Sequence, residues 1–227
     1  MKLGSNSVII IIVAMVGLLA MIFFLFSKAQ QTNNHNLVIP ESTSQFDPVL
    51  PLNIDDHYKW KADSDITVIN YYSIDCPHCR NLFLEENKYR ELYERTFNLV
   101  YRPSPLPDVQ PLSLDKAAMA ECVLRQSGEE SMFLFLKDVF TNYKSDQKNN
   151  VWVELIASNY VDNQVLFTEC RFGEGLETVI RQAKQALADS VYGTPTIIVM
   201  KGSDTVLRLE KPNSRTVIST FNLIRKI

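Results

Sequence analysis

Ile66-Thr67-Val68-Ile69-Asn70-Tyr71-Tyr72-Ser73-Ile74-Asp75-Cys76-Pro77-His78-Cys79 decides the fold of this 227-residue chain. Its first part, residues 66–74, is rich in β-branched and aromatic residues and reads as a buried central strand. Its last part places two cysteines with two residues between them, a pair that can close to a disulfide or open to a dithiol. Pro77 suits the first position of a helix, where its missing N–H costs nothing, and this makes Cys76 the expected N-cap. There the sulfur can accept from free backbone N–H groups and sits at the positive end of the helix dipole. A strand that delivers a CxxC pair onto a helix start is the arrangement thiol–disulfide exchange needs.

Around the pair, His78 and Arg80 can add positive charge and lower the Cys76 pKa, which stabilises the reduced form and makes the disulfide oxidising. Asp75 works in the opposite sense. Cys79, one turn into the helix, is expected to be the buried resolving thiol and Cys76 the nucleophile. The competing use of a CxxC pair, half of a zinc site, needs a second pair of ligands. Cys122 and Cys170 are isolated and only three histidines are present. No metal or other cofactor is therefore expected beyond the Cys76–Cys79 disulfide itself.

Downstream of Cys79, Leu82, Phe83, Tyr89, Leu92 and Tyr93 recur at roughly helical spacing, which predicts a helix from Pro77 to about Arg95, although Glu86 falls on its apolar face. A short strand is expected at 97–101, closed by Pro103, Pro105, Pro107 and Pro111. A long helical region follows. Ser113 is the expected N-cap of a helix over 114–126, Gly128 its stop, and Met132 to Phe140 a buried helix. Further helices are predicted at 151–160, from a cap at Asp162 to Cys170, and at 176–188, with breaks at Gly173 and Gly175. Two strands at 196–200 and 205–209 are separated by a turn at Gly202-Ser203. The last helix, opened by Asn213 or Ser214, carries the apolar stripe Val217, Ile218, Phe221 and Ile224. The predicted order is β–α–β, helical insert, β–β–α, with no internal repeat.

Residues 8–26 are uniformly apolar, long enough for a membrane-spanning helix of ~17–25 residues, and flanked by Lys2 and Lys28. A basic N-terminal flank favours the cytoplasmic side, so the rest of the chain is expected outside the cytoplasm. The competing reading, a signal peptide cut near Ser27 and Ala29, sends the body to the same side. The expected organisation is an N-terminal anchor at 1–28, a polar, proline-punctuated linker at 29–54 that includes His35, and one α/β domain at 55–227 with a helical insertion at about 112–190. A formal net charge of −3 without a basic cluster speaks against nucleic acid. Four cysteines in an exported chain are compatible with two disulfides.

By itself Thr194-Pro195-Thr196 reads as a proline opening an edge strand. With the Cys76-Pro77-His78-Cys79 pair upstream and Gly193-Thr194-Pro195 before the last strand pair, residues 55–227 resemble the DsbA-like branch of the thioredoxin superfamily. The resemblance implies a thioredoxin-like α/β fold with an inserted helical subdomain, a cis Thr194–Pro195 bond facing the cysteines, and Gly193, Thr194 and Pro195 as the substrate clamp. It implies a structural disulfide between Cys122 and Cys170, as in members whose insert helices are tied. It also implies an extracytoplasmic oxidase acting on exported cysteine-containing proteins, recharged by a DsbB-like membrane partner. Two positions depart from the pattern. Many relatives carry a buried carboxylate six residues before the first cysteine, where this chain has Asn70. Oxidases often have valine before the cis-proline, whereas threonine is more usual in isomerases and reductases. An isomerase or reductase using the same residues is thus the nearest alternative, and a non-catalytic, membrane-tethered thioredoxin-like binding module the next.

Overall fold

In the computed structural model, residue 21 and residues 49–105, 111–144 and 149–226 are described. Apart from residue 21, the expected anchor at 8–26, its flanks Lys2 and Lys28, and His35 with most of the linker lie outside them. Among the described residues no helix is long and apolar enough to cross a membrane.

Strand β1 (His57–Trp60) precedes β2 (Ile66–Tyr72), whose seven residues are all buried. Helix α1 (Pro77–Glu85), a 3-10 turn (Glu86–Lys88) and the short α2 (Arg90–Tyr93) lead to β3 (Asn98–Pro103). Four helices follow: α3 (Pro111–Asn142), α4 (Val151–Ala157), α5 (Gln164–Phe172) and α6 (Glu174–Ala188). Strands β4 (Thr196–Lys201) and β5 (Asp204–Glu210) and helix α7 (Ser214–Ile224) complete the chain. The sheet order is β1-β3-β2-β4-β5. β2 and β3 are parallel and the other neighbours antiparallel. A parallel pair needs a long crossover, and the segment carrying α1 supplies it.

β2 is buried throughout because both faces of the sheet are covered. Val68 and Tyr72 enter the large core shared with α1, α3, α4, α5 and α7. Ile69 and Tyr71 point the other way, into a smaller core with Val100, Ala186, Val191, Ile198 and Met200. The β4–β5 turn falls where expected, with Gly202 at φ 59°.

Several expected elements differ. The helix from Pro77 breaks after Glu85, because Glu86 is buried and its carboxylate accepts the Tyr101 hydroxyl. Tyr89 leaves helical geometry at φ −129°, which turns Tyr89 and Tyr93 onto Phe221 at ring distances of 5.7 and 5.2 Å. β1 has no counterpart among the expected strands: it is four residues long, only its ends His57 and Trp60 are buried, and it pairs as an edge. Ser113 is not a cap but lies inside α3, with its hydroxyl donating to Asp75. Gly128 does interrupt that helix, at φ 84° and ψ 173°, and the buried stretch Met132 to Phe140 forms its second limb. The cap of α5 is Asn163 rather than Asp162. Gly173 separates α5 from α6, whereas Gly175 sits within α6.

Candidate active site

β2 ends at Tyr72, and Cys76 follows a turn in which its N–H donates to Ser73 O at 3.2 Å. Cys76 is extended (φ −87°, ψ 114°) and caps α1, with Pro77 in the first turn, as its position before the proline predicts. Its Sγ accepts the Cys79 N–H at 3.3 Å. In the thiol form it donates to Thr194 O at 3.2 Å, although 118 residues separate the two. The Thr194–Pro195 bond is cis. Thr196 Oγ1 donates to Gly193 O at 2.8 Å, and Lys211 N to Pro195 O at 2.8 Å, so the loop is pinned on both sides. Gly193, Thr194 and Cys76 line one cleft of about 300 Å³ with Asp75, Ser113, Tyr192 and Lys211.

The two thiols are differentiated. Cys76 is partly exposed and its pKa is lowered to about 6, chiefly by a hydrogen bond from the Cys79 thiol and despite its burial, with the Thr194 side chain and the N–H groups of Cys79 and His78 adding to the effect. Cys79 is 2% exposed, and burial, then its contact with Cys76, pushes its thiol well up. The site can therefore hold an ionised outer sulfur beside a neutral inner one, as an attacking and a resolving thiol require.

His78 contributes to the sulfur through its N–H, while its side chain is exposed. Arg80 is turned toward the helical insert, its Nε donating to Phe140 O at 2.6 Å. Asp75 does not bear on the sulfur as an unpaired charge: its carboxylate accepts from the Ser113 hydroxyl and the Lys116 ammonium. Tyr143 also donates to Asp75 O, at 3.3 Å. Ser113, Lys116 and Tyr143 were not read as site residues, since only the packing of α3 against the Cys76 turn brings them there. Asn70 is buried, with its Oδ1 unpartnered.

Cys122 and Cys170 form a disulfide (S–S 2.01 Å, Cα–Cα 5.9 Å) that ties α3 to α5. Among the described residues no group of three or more His, Cys, Asp or Glu side chains could hold a metal ion.

A family model described as Thioredoxin matches residues 53–205. Among solved structures, the chain is similar to α-DsbA1 of Wolbachia pipientis, with a TM-score of 0.64 and 18% identity over 78% of this chain and 94% of that one. It is also similar to oxidised BdbD of Bacillus subtilis, with a TM-score of 0.63 and 15% identity over 79% and 98% of the two chains. For DsbA2 of Pseudomonas aeruginosa the TM-score is 0.58, with 17% identity over 78% and 97%. Among curated proteins, the Na(+)/H(+) antiporter NhaA 1 of Salinispora arenicola is 26% identical over 188 residues. That match takes in 79% of this chain but spans about a quarter of the antiporter's length (27%).

Proposed function

The chain belongs to the thioredoxin family, and from that premise we propose that it is an extracytoplasmic thiol:disulfide oxidoreductase that introduces disulfide bonds into exported proteins. The observation that carries this reading is the division of labour between the cysteines: Cys76 at the helix cap with its pKa near 6, Cys79 buried and neutral. In the oxidised protein a substrate thiolate attacks Cys76 Sγ. The Cys76–Cys79 bond breaks, Cys79 leaves as a thiolate and takes a proton, and substrate and Cys76 are joined as a mixed disulfide. A second substrate thiolate attacks the substrate sulfur of that bond and releases Cys76. Two electrons pass from the substrate dithiol to the CxxC pair, and Cys76 remains ionised at neutral pH. In the clamp of Gly193, Thr194 and Pro195, it is Thr194 that offers backbone groups beside the sulfur to the substrate strand, with Pro195 holding the turn and Gly193 leaving space for the strand. A membrane redox partner of the DsbB kind then withdraws the electrons and restores the Cys76–Cys79 disulfide. Residues 8–26 serve as the membrane anchor that keeps the domain near that partner.

Threonine ahead of the cis-proline favours a second reading, an isomerase or reductase. The reduction potential of the Cys76–Cys79 pair in the full chain decides between them. Equilibration with glutathione, scored by thiol alkylation, is expected to give a potential near about −120 mV, as for a strong oxidant. A value near about −270 mV would replace the oxidase by a reductase kept charged across the membrane. Cys76→Ser is expected to abolish oxidation of a reduced substrate protein, and an unchanged rate would leave only the non-catalytic binding module.

A further inference from the structure

Asp75 stands one residue before Cys76 and lines the same cleft. A carboxylate so placed opposes a thiolate and raises its pKa. Two side chains of α3 reach it: the Ser113 hydroxyl binds one carboxylate oxygen and the Lys116 ammonium the other. They are three residues apart and so share one face of the helix. Lys116 is 5% exposed, while the Asp75 side chain keeps 24% of its surface. The acid beside Lys116 in the chain, Asp115, is engaged elsewhere by Arg171 and Asn150. The Trp152 ring, 6.0 Å from the ammonium, brings no anionic charge. Burying an ammonium is costly without a counter-charge, and here the counter-charge is the carboxylate that lines the nucleophile's cleft.

The other titratable groups around the sulfur leave this pairing undisturbed. On α1, Cys79 is neutral and buried, His78 is exposed, and Arg80 is held by Phe140 O. Tyr143 bonds the backbone oxygen of Asp75 rather than its carboxylate. Across the cleft, Tyr192 is 75% exposed, and Lys211 is exposed with its stem over Gly193.

We propose that Lys116 is a positioning residue for the nucleophile: by pairing with Asp75 it removes the charge that opposes the Cys76 thiolate, and the helical insert thereby sets the oxidising strength of the Cys76–Cys79 couple. The inference rests on the reading of Cys76 as the attacking thiol. A salt bridge that served only to anchor the insert to the turn would have no such effect on the sulfur.

The test is a pH titration of the reduced full chain, followed by the ultraviolet absorbance of the thiolate. Lys116→Met keeps the length of the side chain and removes its charge. The Cys76 pKa is expected to rise by about one unit, and each tenfold loss of thiolate stabilisation lowers the reduction potential by about 30 mV. Asp75→Asn combined with Lys116→Met removes both charges, and the pKa is expected to return to that of the parent. Equal values in the single and double variants would overturn the proposal, as would no shift in the single one. Where Lys116→Met does not fold, Asp75→Asn alone decides. It leaves the cation without its anion, so the pKa should fall below the parent's, and an unchanged or higher value overturns the proposal. If the parent itself shows no thiolate below the ordinary thiol range, the reading of Cys76 as nucleophile fails first, and Lys116 has no thiolate to protect.

Discussion

Cys76 carries one local signal that survives folding, its place before proline, and it was legible as a helix cap. Its depressed pKa has a kinetic consequence. Alkylation of the reduced protein by iodoacetamide should follow a single ionisation with a midpoint at about 6, and Cys79 should stay unmodified in the native state. A midpoint near the ordinary thiol value of 9.0 would remove the basis for an activated nucleophile. The same shift fixes a stability profile for the reduced protein. The folded pKa lies below the unfolded one, so the contribution is full above about pH 9 and is lost as pH falls through about 6. Reduced parent and Cys76→Ser should therefore differ most in alkaline denaturant melts and converge below that midpoint. Asp75 was legible only as a conflict with the thiolate. Its resolution by Lys116 depends on a contact 41 residues away in the chain, which no local pattern encodes.

Helix starts and stops were readable where one residue dominates its surroundings, and misread where neighbours compete. Asp162 and Asn163 are both good caps by type, and the extended backbone of Asn163 (φ −124°, ψ 101°) settles the choice. The Asn163 side chain accepts from Val165 N at 3.0 Å and Leu166 N at 3.1 Å, so Asn163→Ala should destabilise the protein by about 1–2 kcal/mol in urea unfolding. A change indistinguishable from zero would mean that α5 is fixed by its packing alone. Gly175 was read as a helix breaker, yet it lies in α6 for a steric reason. A Cβ there would sit 2.5 Å from Cys122 Sγ and 2.9 Å from Cys170 O. Gly175→Ala should therefore cost about 1–3 kcal/mol through overpacking against the disulfide. In a Cys122→Ala background the part of that cost due to Cys122 Sγ should vanish, and an equal cost in both backgrounds would assign it to the Cys170 backbone contact and the helix instead.

Across the molecule, the sheet, its last crossover helix and the segment ahead of β1 are joined by one buried guanidinium. Arg102 on β3 binds both oxygens of Asp56, at 2.5 and 2.9 Å, and donates to the Tyr71 hydroxyl at 2.9 Å and to Asp189 at 3.3 Å. It also reaches Leu50 O and Pro51 O, while Asp189 accepts Leu50 N at 2.6 Å. Arg208 of β5 donates to Asp189 O at 2.9 Å, so the start of the loop toward Gly193 and Thr194 is clamped from two strands. None of this was legible. Asp56 and Asp189 lie 46 and 87 residues from Arg102, and each charge by itself reads as solvated surface. The β–α–β core was legible because its signals are local, whereas the cis-proline loop was legible only through the family resemblance that pairs it with the CxxC motif 118 residues upstream. Removing the arginine leaves the two buried carboxylates, Asp56 and Asp189, without a counter-charge, a class of loss that costs about 3–5 kcal/mol. Arg102→Met is expected to lose that much in denaturant unfolding. Arg102→Lys should recover only part of it, because an ammonium cannot bind Asp56 in the same two-pronged way while reaching Tyr71 and Asp189. Full recovery by lysine would show that the charge alone matters. A loss below about 1 kcal/mol in Arg102→Met would mean that water replaces the guanidinium and that the sheet, α6 and the segment ahead of β1 are held together by apolar packing instead.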